Sequence, residues 1–358
     1  MQQHVLPLCN ASAHRGGHVA TGRDLAQQFT FYATFDVDSL CSFIPEQTAL
    51  LLPASSWSRK GMKKPPIPAH ITEVAADSGG FVASRVWGDY RYTLEQYVTW
   101  LQSWQPRWAA MMDYCCEPQL QQVTRRRQEQ TTANAREAWS RYQQVPWAWV
   151  PTVQGWIPED YSRHASELQP LIEEMRTSYH DHPSWRVGIG TLCQRNDVTM
   201  IQAIVDAVRE VLPRTPLHLW GIKLDALCSV NLDQVVSTDS AVWHGAMYAR
   251  QEIAQAAHEA GMSMRAYQVK VRLPAYVAKV HAAVEESRRV ACAQGDTMLL
   301  QQARAILKAQ GWTIHLRTRR NRAYVYAARR TGERIEQRYL CAVSELSAWL
   351  SVVQRTSS

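Results

Sequence analysis

Eight short apolar runs, each parted from the next by a polar or helix-patterned stretch, constrain the fold of this 358-residue chain more than any other feature. They cover residues 29–34, 48–53, 71–76, 108–112, 146–153, 185–189, 217–222 and 235–238. Runs of this length bounded by polar or turn residues read as buried strands. Between them, Leu94, Tyr97, Val98, Leu101 and Trp104 recur at helical spacing, and so do Met200, Ile201, Ile204, Val205, Val208 and Val211. Residues 120–142 read as a polar, exposed helix, and residues 158–179 as a helix with Pro158 in its first turn. Alternating strands and helices build a parallel sheet, and eight such units fill a (β/α)8 TIM barrel of the α/β class. A doubly wound open sheet is the second choice, since no G-x-G-x-x-G follows the first strand.

Composition adds limits. A hydrophobic content of 46% and 14 tryptophans supply ample core, and a formal charge of +7 favours a polyanionic partner. No apolar run approaches the roughly 18 residues that span a bilayer, so no membrane role is expected. Residues 1–10 lack the pattern of a secretory signal. The eight cysteines are scattered, which suits reduced thiols in a cytoplasmic protein.

In a barrel, function gathers where strands end at their C-termini. Asp77 closes the third run and opens D-S-G-G-F; Asp113, Gln154-Gly155, the Gly188 and Gly190 pair, and Asp239 close later ones. Paired carboxylates allow one acid to attack and another to move a proton. With a glutamine amide and aromatic faces, the set suits cleavage of an N-glycosidic bond through an oxocarbenium-like transition state. Each residue has a plainer alternative. Asp77 could cap its own turn, Asp113 could pair with Arg107, Gln154-Gly155 could be a turn, and Asp239 could be a helix N-cap. Cys115 and Cys116 lack a second Cys/His pair at zinc spacing and read as buried thiols.

The ordered motifs D-S-G-G-F (from Asp77), M-D-Y-C-C-E-P (from Met112), V-Q-G-W-I-P-E-D-Y (from Val153), V-G-I-G-T-L-C-Q-R-N (from Val187), W-G-I-K (from Trp220) and S-T-D-S-A-V-W (from Ser237) resemble the tRNA-guanine transglycosylase superfamily. The resemblance covers about residues 29–250 and is nearest to the DpdA branch, which exchanges guanine in DNA for a 7-deazaguanine. It implies that Asp239 is the nucleophile on C1′ and Asp77 the general acid/base, with the two roles open to exchange. It further implies that Asp113 reads the guanine edge, that Gln154, Gly155, Gly188 and Gly190 address the O6 side and the 7-substituent, and that Ser78 and Phe81 wall the pocket. The implied partners are DNA with a flipped or single-stranded guanine, a 7-deazaguanine base such as 7-cyano-7-deazaguanine, and helper proteins of a modification system. No cofactor is implied. The tRNA enzymes carry a structural zinc on a C-x-C-x-x-C cluster after the nucleophile, whereas residues 251–296 contain a single cysteine, Cys292; no zinc is therefore expected. They also follow the nucleophile with Pro-Thr-Arg, where this chain has Ser240-Ala241-Val242-Trp243. Both departures favour the DNA branch over two alternatives, a zinc-less tRNA enzyme and a non-catalytic nucleic-acid-binding barrel.

The barrel domain is expected over residues 1–295, with closing helices from about 250, and a small basic α/β module over 296–358. Gly295-Asp296 punctuates the chain; a helix (298–310), three strand-like runs (312–318, 322–329 and 334–341) and a short helix (344–353) follow. Between Arg317 and Arg338 stand eight arginines against two glutamates, interleaved with tyrosines. A solvated hairpin is one reading. The other is a nucleic-acid grip through Arg317, Arg319, Arg320, Arg322, Arg329 and Arg330, with Tyr324, Tyr326 and Tyr339 as stacking faces.

Overall fold

The computed structural model describes residues 29–36, 39–117, 124–179, 182–245, 249–319, 322–331 and 334–356. The chain divides into two compact units, one spanning Gly22–Ser287 and the other holding Arg288–Ser358.

In the first unit the strands are β1 (Thr30–Thr34), β2 (Ala49–Pro53), β3 (Val74–Asp77), β4 (Trp108–Ala110), β5 (Ala148–Val150), β6 (Thr152–Val153), β7 (Val187–Ile189), β8 (Leu217–Leu219) and β9 (Val235–Ser240). All pair in parallel, in the order β5-β4-β3-β2-β1-β9-β8-β7-β6. The two ends of that order are consecutive in the chain. Residues 146–153, expected as one strand, are split at Pro151, which has no N–H to give a ladder. β5 pairs with β4 and β6 with β7, so the fifth run bridges the gap and the sheet is an eight-unit TIM-like barrel. The Pro151 carbonyl still accepts from Gly188 N–H at 2.8 Å.

The amphipathic stretches form the outer helices. Leu94–Gln102 carries the Thr93 and Gln96 capping box, and Val198–Val211 is capped by Asp197. Thr124–Arg141 and Pro158–Tyr179 complete the expected set. The apolar side chains of these helices merge with the strands into one core. Inside the barrel, aromatic rings fill much of the volume: Tyr32 lies 5.1 Å from Trp108, Trp108 lies 5.8 Å from Trp220, and His218 lies 4.3 Å from Trp220. The Trp108 indole N–H donates to Tyr32 Oη at 2.8 Å, so the packed rings leave neither polar group unmet.

Leu273–Ala309 is a single helix. The break expected at Gly295-Asp296 is absent, because one interior glycine costs a helix only about 1 kcal/mol and flanking turns override it. Gly311, with φ of 77°, takes the left-handed turn that follows the helix. In the second unit, β10 (Thr313–Arg319), β11 (Arg322–Thr331) and β12 (Arg334–Ala342) form an antiparallel sheet in that order, followed by Leu346–Thr356 as a helix. Its core is built from Ala303, Leu307, Trp312, Val325, Leu340, Trp349 and Leu350.

Candidate active site

Three aspartates come from the C-terminal ends of three strands. Asp77 is the last residue of β3, Asp113 follows β4 by three residues, and Asp239 is the fifth residue of β9. Burial raises the Asp77 carboxyl, and the negative charges of Asp113 and Asp239 raise it further, to about 7; the Gly79 N–H, 3.0 Å from Asp77 Oδ1, works in the opposite sense. Asp77 keeps some open surface even so, which leaves it able to meet a ligand. The turn-capping role open from sequence is therefore real, and it coexists with a carboxyl poised to hold a proton near neutral pH.

Asp113 is the most supported of the three. Ser78 Oγ donates to its Oδ1 at 2.8 Å and the Gln154 side-chain amide donates to its Oδ2. The Tyr90 hydroxyl donates to its carbonyl at 2.8 Å and accepts from its N–H at 3.0 Å. Burial still raises the Asp113 carboxyl, against the lowering effect of the Ser78 and Gln154 donors. The alternative partner Arg107 instead faces Glu73 at 3.9 Å. Gln154 is fully buried, and Thr191 donates to its Oε1 while Cys116 N–H donates to Thr191 Oγ1 at 2.9 Å. Thr191 holds a positive φ of 54°, which a β-branched residue adopts only under constraint, so this polar lattice fixes backbone as well as side chains. His164 accepts from Gln154 N–H at 2.8 Å through Nδ1, and burial lowers its pKa to about 4, so it serves as a neutral prop.

Asp239 is held differently. Gly221 N–H donates to its Oδ1 at 2.8 Å, His218 Nε2 stands 3.3 Å from the same oxygen, and Thr34 Oγ1 lies 3.3 Å from Oδ2. Asp239 caps no helix: the short helix Val242–His244 begins after Ala241, and the local turn contact is made by Ser240 Oγ, which accepts from Val242 N–H at 3.0 Å.

The remaining expected residues divide. Ser78 is buried beside Asp113, and Phe81, 37% exposed, stands on the turn after Gly80. A Cβ on Gly190 would lie 2.2 Å from the Gln154 amide nitrogen, and one on Gly188 would lie 2.2 Å from Trp220 Nε1; both glycines make room for neighbours. Gly155 packs against Asp160 and Tyr161. Sequence reasoning missed Tyr90, Thr191, His164 and His218. Tyr90 lies thirteen residues past Asp77 in an unremarked G-D-Y-R-Y stretch, whereas Thr191 sits inside the quoted V-G-I-G-T-L-C motif and was within reach. Among the described residues no group of three or more His, Cys, Asp or Glu side chains could hold a metal ion, and Cys41, Cys115, Cys116, Cys193 and Cys228 form no disulfide.

A cavity of about 800 Å³ opens at the other end of the barrel, lined by Glu73, Arg107, Arg176, His182, Arg186 and Arg214 among others. It contains none of the three aspartates, and its lining comes from the N-terminal ends of strands, where barrel enzymes do not place their chemistry. The acid cluster is the better candidate site.

In the second unit, strand register aligns His315 with Tyr326 and Tyr326 with Tyr339 on one face of the sheet. Tyr339 lies 6.2 Å from Tyr324 and 5.5 Å from Tyr326, and Arg317 caps the Tyr326 ring at 5.3 Å. Arg317 is exposed, but Arg329 pairs with Glu336 at 2.8 Å and stacks on Trp312 at 4.5 Å, so its charge is largely met within the unit. Arg320 and the side chains of Arg319, Arg322 and Arg330 lie outside the described residues.

No curated protein matches the chain. Among the described residues no helix is long and apolar enough to cross a membrane. The family model DpdA, described as DeoxyPurine in DNA protein A, matches residues 48–326, a span that takes in all three aspartates and most of the chain. The protein therefore belongs to the DpdA family, a membership that supports transglycosylase modification of DNA with a 7-deazaguanine.

Proposed function

We propose that the protein exchanges guanine in DNA for a free 7-deazaguanine base, such as 7-cyano-7-deazaguanine, through a covalent bond between Asp239 and deoxyribose. The observation that carries this reading is the gathering of Asp77, Asp113 and Asp239 at the C-terminal ends of β3, β4 and β9, at one mouth of the barrel. Coupled carboxylates divide roles when their environments differ. A carboxyl that retains its proton near pH 7 is a poor nucleophile and a good acid, which assigns proton transfer to Asp77 and attack to Asp239.

In the first half-reaction an Asp239 oxygen bonds to C1′ as the C1′–N9 bond breaks, and the departing guanine takes up the Asp77 proton. In the second, the incoming base gives its N9 proton to Asp77, bonds to C1′ and expels Asp239. The two halves balance without net oxidation or an external energy source. Asp113 accepts the N1–H and exocyclic amine of the purine edge in bidentate fashion. Gln154 offers O6 the amide hydrogen not spent on Asp113, since the amide carries two. Gly155, Gly188 and Gly190 shape the side that meets the 7-substituent, and Ser78 and Phe81 border the slot. The nucleotide reaches the acids only outside its stack, so a flipped or single-stranded guanine is the substrate, with helper proteins opening the duplex. The tyrosine and arginine face of the second unit grips the strand by stacking and phosphate contact, with little base readout.

The test is an exchange assay with labelled guanine on duplex DNA, single-stranded DNA and tRNA. Label entering DNA, and lost in Asp239→Ala, supports the proposal. Label entering only tRNA would overturn the choice of substrate.

A further inference from the structure

A polar chain runs along the barrel interior from the arginine-lined mouth to the acid cluster. Arg186 Nη1 donates to Ser237 Oγ at 2.6 Å, Ser237 Oγ lies 2.8 Å from His218 Nδ1, and His218 Nε2 lies 3.3 Å from Asp239 Oδ1. All four side chains are buried: Arg186 is 5% exposed, Ser237 and His218 0%, and Asp239 8%. Among the described residues no group other than the Asp239 carboxylate stands opposite His218 Nε2, in a contact just short of a full hydrogen bond.

Donor counting fixes the protons along this chain. Arginine can only donate, so Ser237 accepts from Arg186 and has one proton of its own to place. The only other partner of Ser237 Oγ among the described residues is His218 Nδ1. If Nδ1 carried the imidazole proton, the serine proton would have no acceptor and the Nε2 lone pair would face a carboxylate oxygen. If Ser237 donates to Nδ1, both problems disappear, and Nε2–H points at Asp239 Oδ1. Arg186 is itself locked, donating to the Ser184 carbonyl at 3.0 Å and lying 5.3 Å from the Trp108 ring and 5.9 Å from the Tyr32 ring.

We infer that Arg186 and Ser237 set the tautomer of His218, and that His218 with Gly221 N–H holds Asp239 Oδ1, leaving Oδ2 as the oxygen that attacks the sugar. The inference rests on the reading of Asp239 as nucleophile. His218 is then a positioning residue, and its contact with Asp239, not yet well aligned, tightens when the substrate is bound, as such contacts do. Replacing Ser237 removes the donor to Nδ1, one of the two supports of the Nε2–H tautomer, so the form with a lone pair toward the carboxylate gains population. The expected cost is a fall in kcat of about 10- to 100-fold with KM little changed, the size usual for groups that orient a reactive group at second hand.

The test combines a structural and a kinetic readout on the full chain. Nitrogen NMR of protein labelled in its histidines, with the His218 signals assigned by their loss in His218→Gln, should show a protonated Nε2 and a bare Nδ1. In Ser237→Ala that pattern should be lost while thermal unfolding stays cooperative. His218→Gln, whose amide can still donate to Oδ1, should keep more exchange activity than His218→Leu. A proton on Nδ1 in the wild type would overturn the inference, as would a Ser237→Ala variant with unchanged kcat and tautomer, or equal activity in the two His218 variants. Wild-type protein that exchanges no base at all would defeat the transglycosylase reading and the role given to His218 with it, whereas the tautomer would still report whether the relay exists.

Discussion

The two mouths of this barrel are built from the same strands and differ in almost everything else. At the C-terminal mouth three aspartates share one region, and burial, reinforced by the charges of Asp113 and Asp239, raises the Asp77 carboxyl to about 7. At the N-terminal mouth four arginines and a histidine line an open cavity with a single glutamate among them. The negative end carries the candidate chemistry although the positive end holds an open cavity, so a cavity alone is a poor guide to function in this molecule. The interior relay from Arg186 to Asp239 explains how the ends depend on each other: a buried guanidinium at one end orders a carboxylate at the other.

The sharpest way to break the contrast is to remove one acid. Asp239→Ala should lower base exchange by at least about a thousandfold while DNA binding and unfolding temperature stay near wild type, measured by label incorporation and calorimetry. Next, Gly190→Ala should push the Gln154 amide away from Asp113 and destabilise the protein by about 1–3 kcal/mol, read from denaturant midpoints at constant slope. An unchanged midpoint would mean that the polar lattice is slack.

The pH dependence of stability follows from Asp77. Its carboxyl lies near 3.8 in the unfolded chain and about 7 in the folded one. Between those values the folded state holds a proton that the unfolded state has released, so this group costs stability as pH rises from about 4 to about 7. Asp77→Asn removes that cost. The variant should gain about 4 kcal/mol relative to wild type at pH 8 and nothing near pH 3.5, a difference that urea unfolding at the two pH values would show. Equal shifts at both would contradict the raised carboxyl.

These sites differed in how far the sequence revealed them. Strand ends were legible because a short apolar run that stops at an acid or a glycine carries its own signal, as at Asp77, Gln154 and Gly190. The relay was not, because Arg186, Ser237 and His218 are polar residues within or beside strands that pattern reasoning assigns to apolar core. Only the pairing of β8 with β7 on one side and β9 on the other brings them together. Pro151 hid a split strand, and Gly295 suggested a break that the helix ignores. The arginine-rich tail was readable as charge but not as geometry, since register alone shows that Arg317 sits with the tyrosines while Arg329 turns to Trp312 and Glu336.

Smaller effects sharpen the same contrast. Arg317→Ala in the second unit should weaken DNA binding about tenfold or less and reduce the slope of log affinity against log salt by about 1, whichever sequence is bound. Arg107→Ala at the N-terminal mouth should do almost nothing. Its side chain is 60% exposed and its carboxylate neighbour is 3.9 Å away, so stability should move by less than about 0.5 kcal/mol and exchange not at all.

The central claim, that Asp239 attacks the sugar while Asp77 carries the proton, has a direct measurement. Single-stranded DNA incubated with the protein and quenched in acid can be analysed by mass spectrometry of the proteolysed adduct. The account predicts a peptide containing Asp239 joined to an oligonucleotide that has lost one guanine, absent in Asp239→Ala and present in wild type. An adduct on the peptide containing Asp77, or guanine release with no covalent species in any quench, would contradict it.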